Sequence, residues 1–252
     1  MALAQEQINH FHREGYLRIG KILENDELVL LREQYELEFE KARGSNTYTN
    51  LSLEAGDDSE AKEIIPQRML QITQMCERNI HYRRLVHNEK ILDIAEDLIG
   101  PNIQLFHDQA LFKPASDGGA VFWHQDNAYW TCRPANMISC WLTLDDTDTK
   151  NGAMQVIPGS HLTLVPHELS KERSALLYVK DQDDSRAVAI ELPAGGCMFH
   201  HCQTLHYTQP NETDRQRRAF VIHLMMPGTR SAMESDKDFE VGFKRPLLRA
   251  KA

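Results

Sequence analysis

The chain has 252 residues, 41% of them hydrophobic and 26% charged, with a formal net charge of −9. That is the profile of an ordinary soluble globular protein, long enough to bury a core without disulfide staples and short enough for one domain over 1–252. The negative balance argues against general affinity for nucleic acid or anionic membranes, and no apolar run approaches the roughly 20 residues of a spanning helix.

The opening stretch MALAQEQINHFHREG is polar and amphipathic, unlike a signal peptide. The five cysteines (Cys76, Cys132, Cys140, Cys197, Cys202) are odd in number and show no CxxC spacing, so free thiols in a reducing cytoplasm are expected. Residues 1–100 have mostly helical patterning. Asn25 can cap a helix whose apolar positions are Leu28, Leu31, Tyr35, Phe39 and Ala42, and Asn88 can cap another carrying Ile91, Ala95 and Leu98. Gly100-Pro101 ends that second helix, and the polar, aperiodic segment 43–66 between the two is expected to be a loop covering a site.

From Ile103 the pattern changes to short β segments: Ile103–Lys113, Ala120–His124, Met137–Leu144, Ala153–Ile157, Ala187–Leu192, Cys197–His200, Thr204–Thr208 and Arg217–Met226. Glycine-rich breakers such as Lys150-Asn151-Gly152 and Ala194-Gly195-Gly196 separate them. Such a run after a helical block predicts a mainly β fold, a double-stranded β-helix or cupin-like jelly roll with the N-terminal helices packed on one sheet. The core is expected at about 101–226, with a tail over 227–252 and a charged, irregular insertion at Ser170–Arg186 near the barrel mouth.

The chemistry lies in His124-Gln125-Asp126, followed by His206 and Arg217. Residues i and i+2 of a strand point the same way, so His124 and Asp126 can reach one metal from one strand end while His206 arrives from another. Two histidines and a carboxylate form the set that holds non-haem Fe(II), leaving positions for an oxo-acid and O₂. By itself the HxD triplet is weak in a chain with twelve histidines. A guanidinium suits a carboxylate, but strand parity alone does not choose among Arg215, Arg217 and Arg218.

Longer stretches are more specific: Gly100-Pro101-Asn102-Ile103, Lys113-Pro114, Trp123-His124-Gln125-Asp126, Arg133-Pro134, Trp141, Asn151-Gly152, Ile157-Pro158-Gly159-Ser160-His161 and His206 through Arg217. In this order, and with Phe11–Ile19 at the front, the chain resembles the phytanoyl-CoA dioxygenase family. The resemblance implies iron held by His124, Asp126 and His206, and Arg217 gripping the distal carboxylate of 2-oxoglutarate. Thr208 and Trp141 match further positions around that cosubstrate, with Gln109 and Gln125 as weaker matches. It implies a hydroxylase that consumes O₂ and releases succinate and CO₂. Asp126 is intact, whereas the halogenating relatives carry a small residue there. No basic cluster near the HxD strand would hold a CoA tail, and the extended motif of ectoine hydroxylases is missing, so a small-molecule substrate of another kind is expected, with no protein partner implied.

His200 and His201 are expected to be structural, or to support the ligands, and Pro158-Gly159-Ser160-His161 to be a tight turn. Tyr129, Trp130, Arg133 and Arg68 are candidates for the substrate pocket. Two rival readings use the same residues: a cupin-like protein that binds a metal or small acid without catalysis, and a zinc hydrolase indifferent to O₂.

Overall fold

The computed structural model describes residues 2–45, 48–50, 69–169, 176–231 and 245–251. Every expected strand forms, with ends within two residues of the pattern, and Ile103–Lys113 falls on its predicted bounds. They divide into two sheets. The major sheet has eight strands; its main path runs Tyr16–Lys21, Gly196–His201, Ile138–Thr143, Arg217–Met225, Ile103–Lys113, Leu70–Thr73 and Thr49–Asn50. The eighth, Leu247–Arg249, pairs with Ile103–Lys113 from within the expected tail. The minor sheet has four strands, ordered Val188–Ile190, Met154–Val156, His206–Thr208 and Val121–His124. Neighbours in both sheets are antiparallel, as a jelly roll requires.

Alternation along the major-sheet strands sorts their side chains into two layers. Trp141, Met198, Ala219 and Val221 point inward and meet Met154, Val156 and Ile190 of the minor sheet. Cys140, Leu142, Phe199, Phe220 and Ile222 point outward into a larger cluster with the helices. The helix Asn25–Ser45 supplies Leu28, Leu31, Tyr35, Phe39 and Ala42 to that cluster, all buried as its periodicity predicted. The helix Glu89–Ile99 adds Ile91, Ala95 and Leu98, and Asn88 caps it by accepting from the amides of Lys90 and Ile91. These two helices therefore pack on the outer face of the major sheet, leaving the space between the sheets for a site.

Two expectations are corrected. Asn25 is the first residue of its helix, not its cap: its side chain accepts from Lys21 Nζ at 2.7 Å, while the Glu24 carbonyl accepts from the Leu28 amide. The insertion is not wholly irregular, since Glu168–Leu169 pairs with Leu177–Tyr178 in a two-stranded hairpin. The described part of the first hundred residues is mostly helical, as expected, with short strands between the helices. Gly15, in the left-handed region at φ 80°, ends the helix Gln5–Glu14 and turns the chain into Tyr16–Lys21. Of the expected loop 43–66, residues 46–47 and 51–66 lie outside the described residues. All five cysteines are buried and unpaired.

Candidate active site

His124 and His206 are direct cross-strand partners in the minor sheet, which brings their ring centroids to 4.1 Å. Gln125 keeps extended backbone (φ −112°, ψ 128°), so Asp126 returns to the face of His124 although it already opens the short helix Asp126–Trp130. Asp126 Oδ1 lies 3.7 Å from His124 Nε2 and 3.6 Å from His206 Nε2. One ligand atom from each of the three fits within 4.8 Å of the others, and all three side chains are buried. The spacing and the donor types fit a divalent metal.

The tautomers follow from the partners. His124 Nδ1 lies 2.7 Å from the Phe122 carbonyl and His206 Nδ1 lies 3.0 Å from the Thr204 carbonyl. A carbonyl can only accept, so each Nδ1 carries the proton and each Nε2 turns its lone pair to the shared centre. Burial lowers the pKa of both imidazoles, which favours the neutral form a metal needs. Burial opposes charge on Asp126 as well, but its surroundings, among them the hydrogen bond from His200, hold the carboxyl well below its usual range. Asp126 Oδ2 accepts from Ser139 Oγ at 3.0 Å and from His200 Nε2 at 3.2 Å, leaving Oδ1 for the histidine side.

The three arginines separate cleanly. Arg215 is exposed and pairs with Asp148. Arg218, on the helix face, makes a forked contact with Asp145 at 2.6 and 2.9 Å and a third with Glu36. Arg217, on the cavity face, is 0% exposed and has one hydrogen bond, from Nη1 to the Leu111 carbonyl at 3.3 Å. Its Nε and Nη2, like the nearby Thr208 Oγ1, have no partner among the described residues. Burial lowers its pKa to about 10, so it stays charged at neutral pH. A buried cation with two idle N–H groups is costly unless an anion completes it. The guanidinium carbon lies 6.0 Å from the Trp141 ring centroid.

His124, Asp126, His206, Arg217, Thr208 and Trp141 all line one cavity of about 430 Å³. Gln109 also lines it, bonded to His223 and Gln71. Gln125 does not: its side-chain amide donates to the carbonyls of Thr163 and Gln203 and accepts from the Val165 amide, so it ties loops together behind the triad. Alternation, which favours His124 and Asp126, turns the residue between them away.

Tyr129 and Trp130 reach the cavity; the Tyr129 hydroxyl also bonds the backbone of Leu177, tying the hairpin to it. Arg133 is exposed on a two-residue strand opposite Arg230, and Arg68 lies outside the described residues. The turn at Ser160 is structural, its hydroxyl bridging the Ile157 carbonyl and the Leu205 amide. Sequence reasoning missed Ser139 and His223, because nothing local marks them; only the pairing of distant strands brings them behind Asp126.

The sequence profile of the phytanoyl-CoA dioxygenase family matches residues 11–219. A probable alpha-ketoglutarate-dependent hypophosphite dioxygenase of Stutzerimonas stutzeri is 33% identical over 145 residues, covering 55% of this chain and 50% of that protein. The chain thus spans half the length of that relative. The peroxisomal phytanoyl-CoA dioxygenase of Mus musculus is 28% identical over 234 residues, covering 88% of this chain and 68% of its own. Among solved structures, the non-heme alpha-ketoglutarate-dependent carbocyclase SnoK from nogalamycin biosynthesis superposes with a TM-score of 0.76 at 21% identity, over 97% of this chain and 96% of its own.

Proposed function

The chain belongs to the phytanoyl-CoA dioxygenase family, and from that premise we propose that it is an Fe(II)- and 2-oxoglutarate-dependent dioxygenase that hydroxylates an unactivated C–H bond of a small organic molecule. One observation carries the reading: the buried His124–Asp126–His206 cluster and the half-satisfied Arg217 open onto the same cavity. His124, Asp126 and His206 would hold the iron, and Arg217 with Thr208 would receive the distal carboxylate of 2-oxoglutarate. When bound, the metal and cosubstrate supply the oxidising power that breaks a C–H bond with O₂, releasing succinate and CO₂.

The chain's own part is orientation and exclusion of water. The two Nδ1–H groups fix the imidazoles, and Ser139 and His200 fix the carboxylate. Arg217 sits in a buried, low-dielectric pocket where a charged hydrogen bond to a carboxylate is strong. Trp141 walls that pocket against the strand Arg217–Met225, and Tyr129 and Trp130 line the cavity as well. The buried free thiols and a ferrous site both suit the cytoplasm as its location. Among the described residues no helix is long and apolar enough to cross a membrane.

The test is succinate formation from 2-oxoglutarate with Fe(II), ascorbate and O₂, screened across amino acids, small natural products and acyl thioesters. Wild-type protein is expected to release succinate slowly alone and faster with its substrate, and Asp126→Ala to release none. Iron-independent turnover, or an Asp126→Ala variant as active as wild type, contradicts the proposal.

A further inference from the structure

Behind the triad, four polar side chains form a row across the cavity face of the major sheet. Register sets His200 opposite Ser139, Ser139 opposite His223, and His223 opposite His107. The next row is Met198, Trp141 and Val221, largely apolar, as a barrel interior ordinarily is. Burying hydroxyl and imidazole groups in the first row is unfavourable unless each finds a partner. Ser139 and His223 find partners in a chain whose direction is forced.

Asp126 Oδ2 is an acceptor, so the single hydroxyl proton of Ser139 points to it, at 3.0 Å. Ser139 Oγ must then accept from His223, whose Nδ1 lies 2.8 Å away. Burial lowers the His223 pKa to about 3, so the ring is neutral and its Nε2 is an acceptor. That atom takes the side-chain N–H of Gln109 at 3.0 Å, and Gln109 Oε1 takes the N–H of Gln71. The His223 ring is itself held flat against His107, with centroids 5.4 Å apart and planes 8° apart, and the Trp130 ring packs edge-on at 4.7 Å.

We propose that Ser139 and His223 are positioning residues for the iron carboxylate: His223, acting through the Ser139 hydroxyl, fixes Asp126 so that Oδ1 faces the metal. This rests on the assignment of His124, Asp126 and His206 as ligands. Both act through Asp126 and neither belongs to the ligand cluster; their effect is to keep the carboxylate from rotating and to keep its second oxygen occupied. His200 restrains the same oxygen from the other neighbouring strand, so losing the Ser139 contact weakens the restraint without abolishing it.

The test is the affinity for Mn(II), titrated calorimetrically without 2-oxoglutarate or O₂, in wild type, Ser139→Ala, His223→Phe and His223→Asn. Partners that orient a ligand typically change metal affinity by about 10–100-fold, and with His200 retained the expected loss in Ser139→Ala and His223→Phe is about tenfold. The amide nitrogen of Asn overlays imidazole Nδ1 and keeps the N–H aimed at Ser139, so His223→Asn should bind Mn(II) nearly as wild type does. A purely structural role would move melting temperatures and leave Mn(II) affinity alone. Equal affinity in wild type and Ser139→Ala overturns the proposal, as does equal loss in His223→Phe and His223→Asn. Should His223→Phe fail to fold, Ser139→Ala decides alone. A wild-type protein that binds no Mn(II) overturns the ligand assignment itself, an outcome distinct from the others.

Discussion

Arg217 shows what a single side chain can disclose. Its neighbours Arg215 and Arg218 have carboxylate partners, and it has none among the described residues. An unpaired guanidinium in the interior lowers stability. The position is explained if a dianionic ligand completes it. Arg217→Met should therefore raise the melting temperature of the protein without ligand, while removing the further rise that 2-oxoglutarate produces in wild type. A lower melting temperature for the ligand-free variant would show that Arg217 is structural. The sequence made HxD, His206 and the arginine cluster visible, and family spacing chose Arg217. Parity could not have chosen it, because parity distinguishes faces without saying which face is the cavity. Ser139 and His223 were illegible because an isolated serine and histidine 84 residues apart acquire meaning only when register sets them opposite each other.

At the scale of elements, periodicity recovered the helices Asn25–Ser45 and Glu89–Ile99 and the main strands, since each buries one defined face. The edge pieces escaped. Leu247–Arg249 is short, half-exposed and flanked by charge, and only the backbone of Ile103–Lys113 makes it a strand. Tyr16–Lys21 followed so closely on helical patterning that a single glycine had to mark the change. That glycine has little freedom to vary. A Cβ on Gly15 would lie 2.4 Å from His161 Nδ1 and 2.7 Å from Thr204 Oγ1, at a φ of +80° that side chains resist. Gly15→Ala should cost at least about 1 kcal/mol, seen as a lower denaturant midpoint at unchanged slope. An unshifted midpoint would mean that the junction of the first helix with the strand beside it is looser than described.

For the whole molecule, burying imidazoles ties stability to pH. Burial lowers His107 to about 4, His201 to about 4 and His223 to about 3, against about 6.5 in an unfolded chain. Between those values the unfolded chain binds more protons than the native one. The stability linked to these groups is therefore complete above about pH 6.5 and declines as pH falls towards 4. The denaturant midpoint should drop between about pH 7.5 and 5; a flat profile would contradict neutral, buried rings. Two of these rings, His107 and His223, line the cavity, so the acid-sensitive groups include part of the site's own wall.

The most direct measurement is a calorimetric titration of 2-oxoglutarate into anaerobic protein, with and without Mn(II), for wild type, Asp126→Ala and Arg217→Ala. One-to-one binding that needs the metal is expected, lost in Asp126→Ala and about tenfold to a hundredfold weaker in Arg217→Ala, the worth of a charged hydrogen bond of about 1.5–3 kcal/mol. Binding of equal strength without metal, or unchanged affinity in Arg217→Ala, would contradict that expectation.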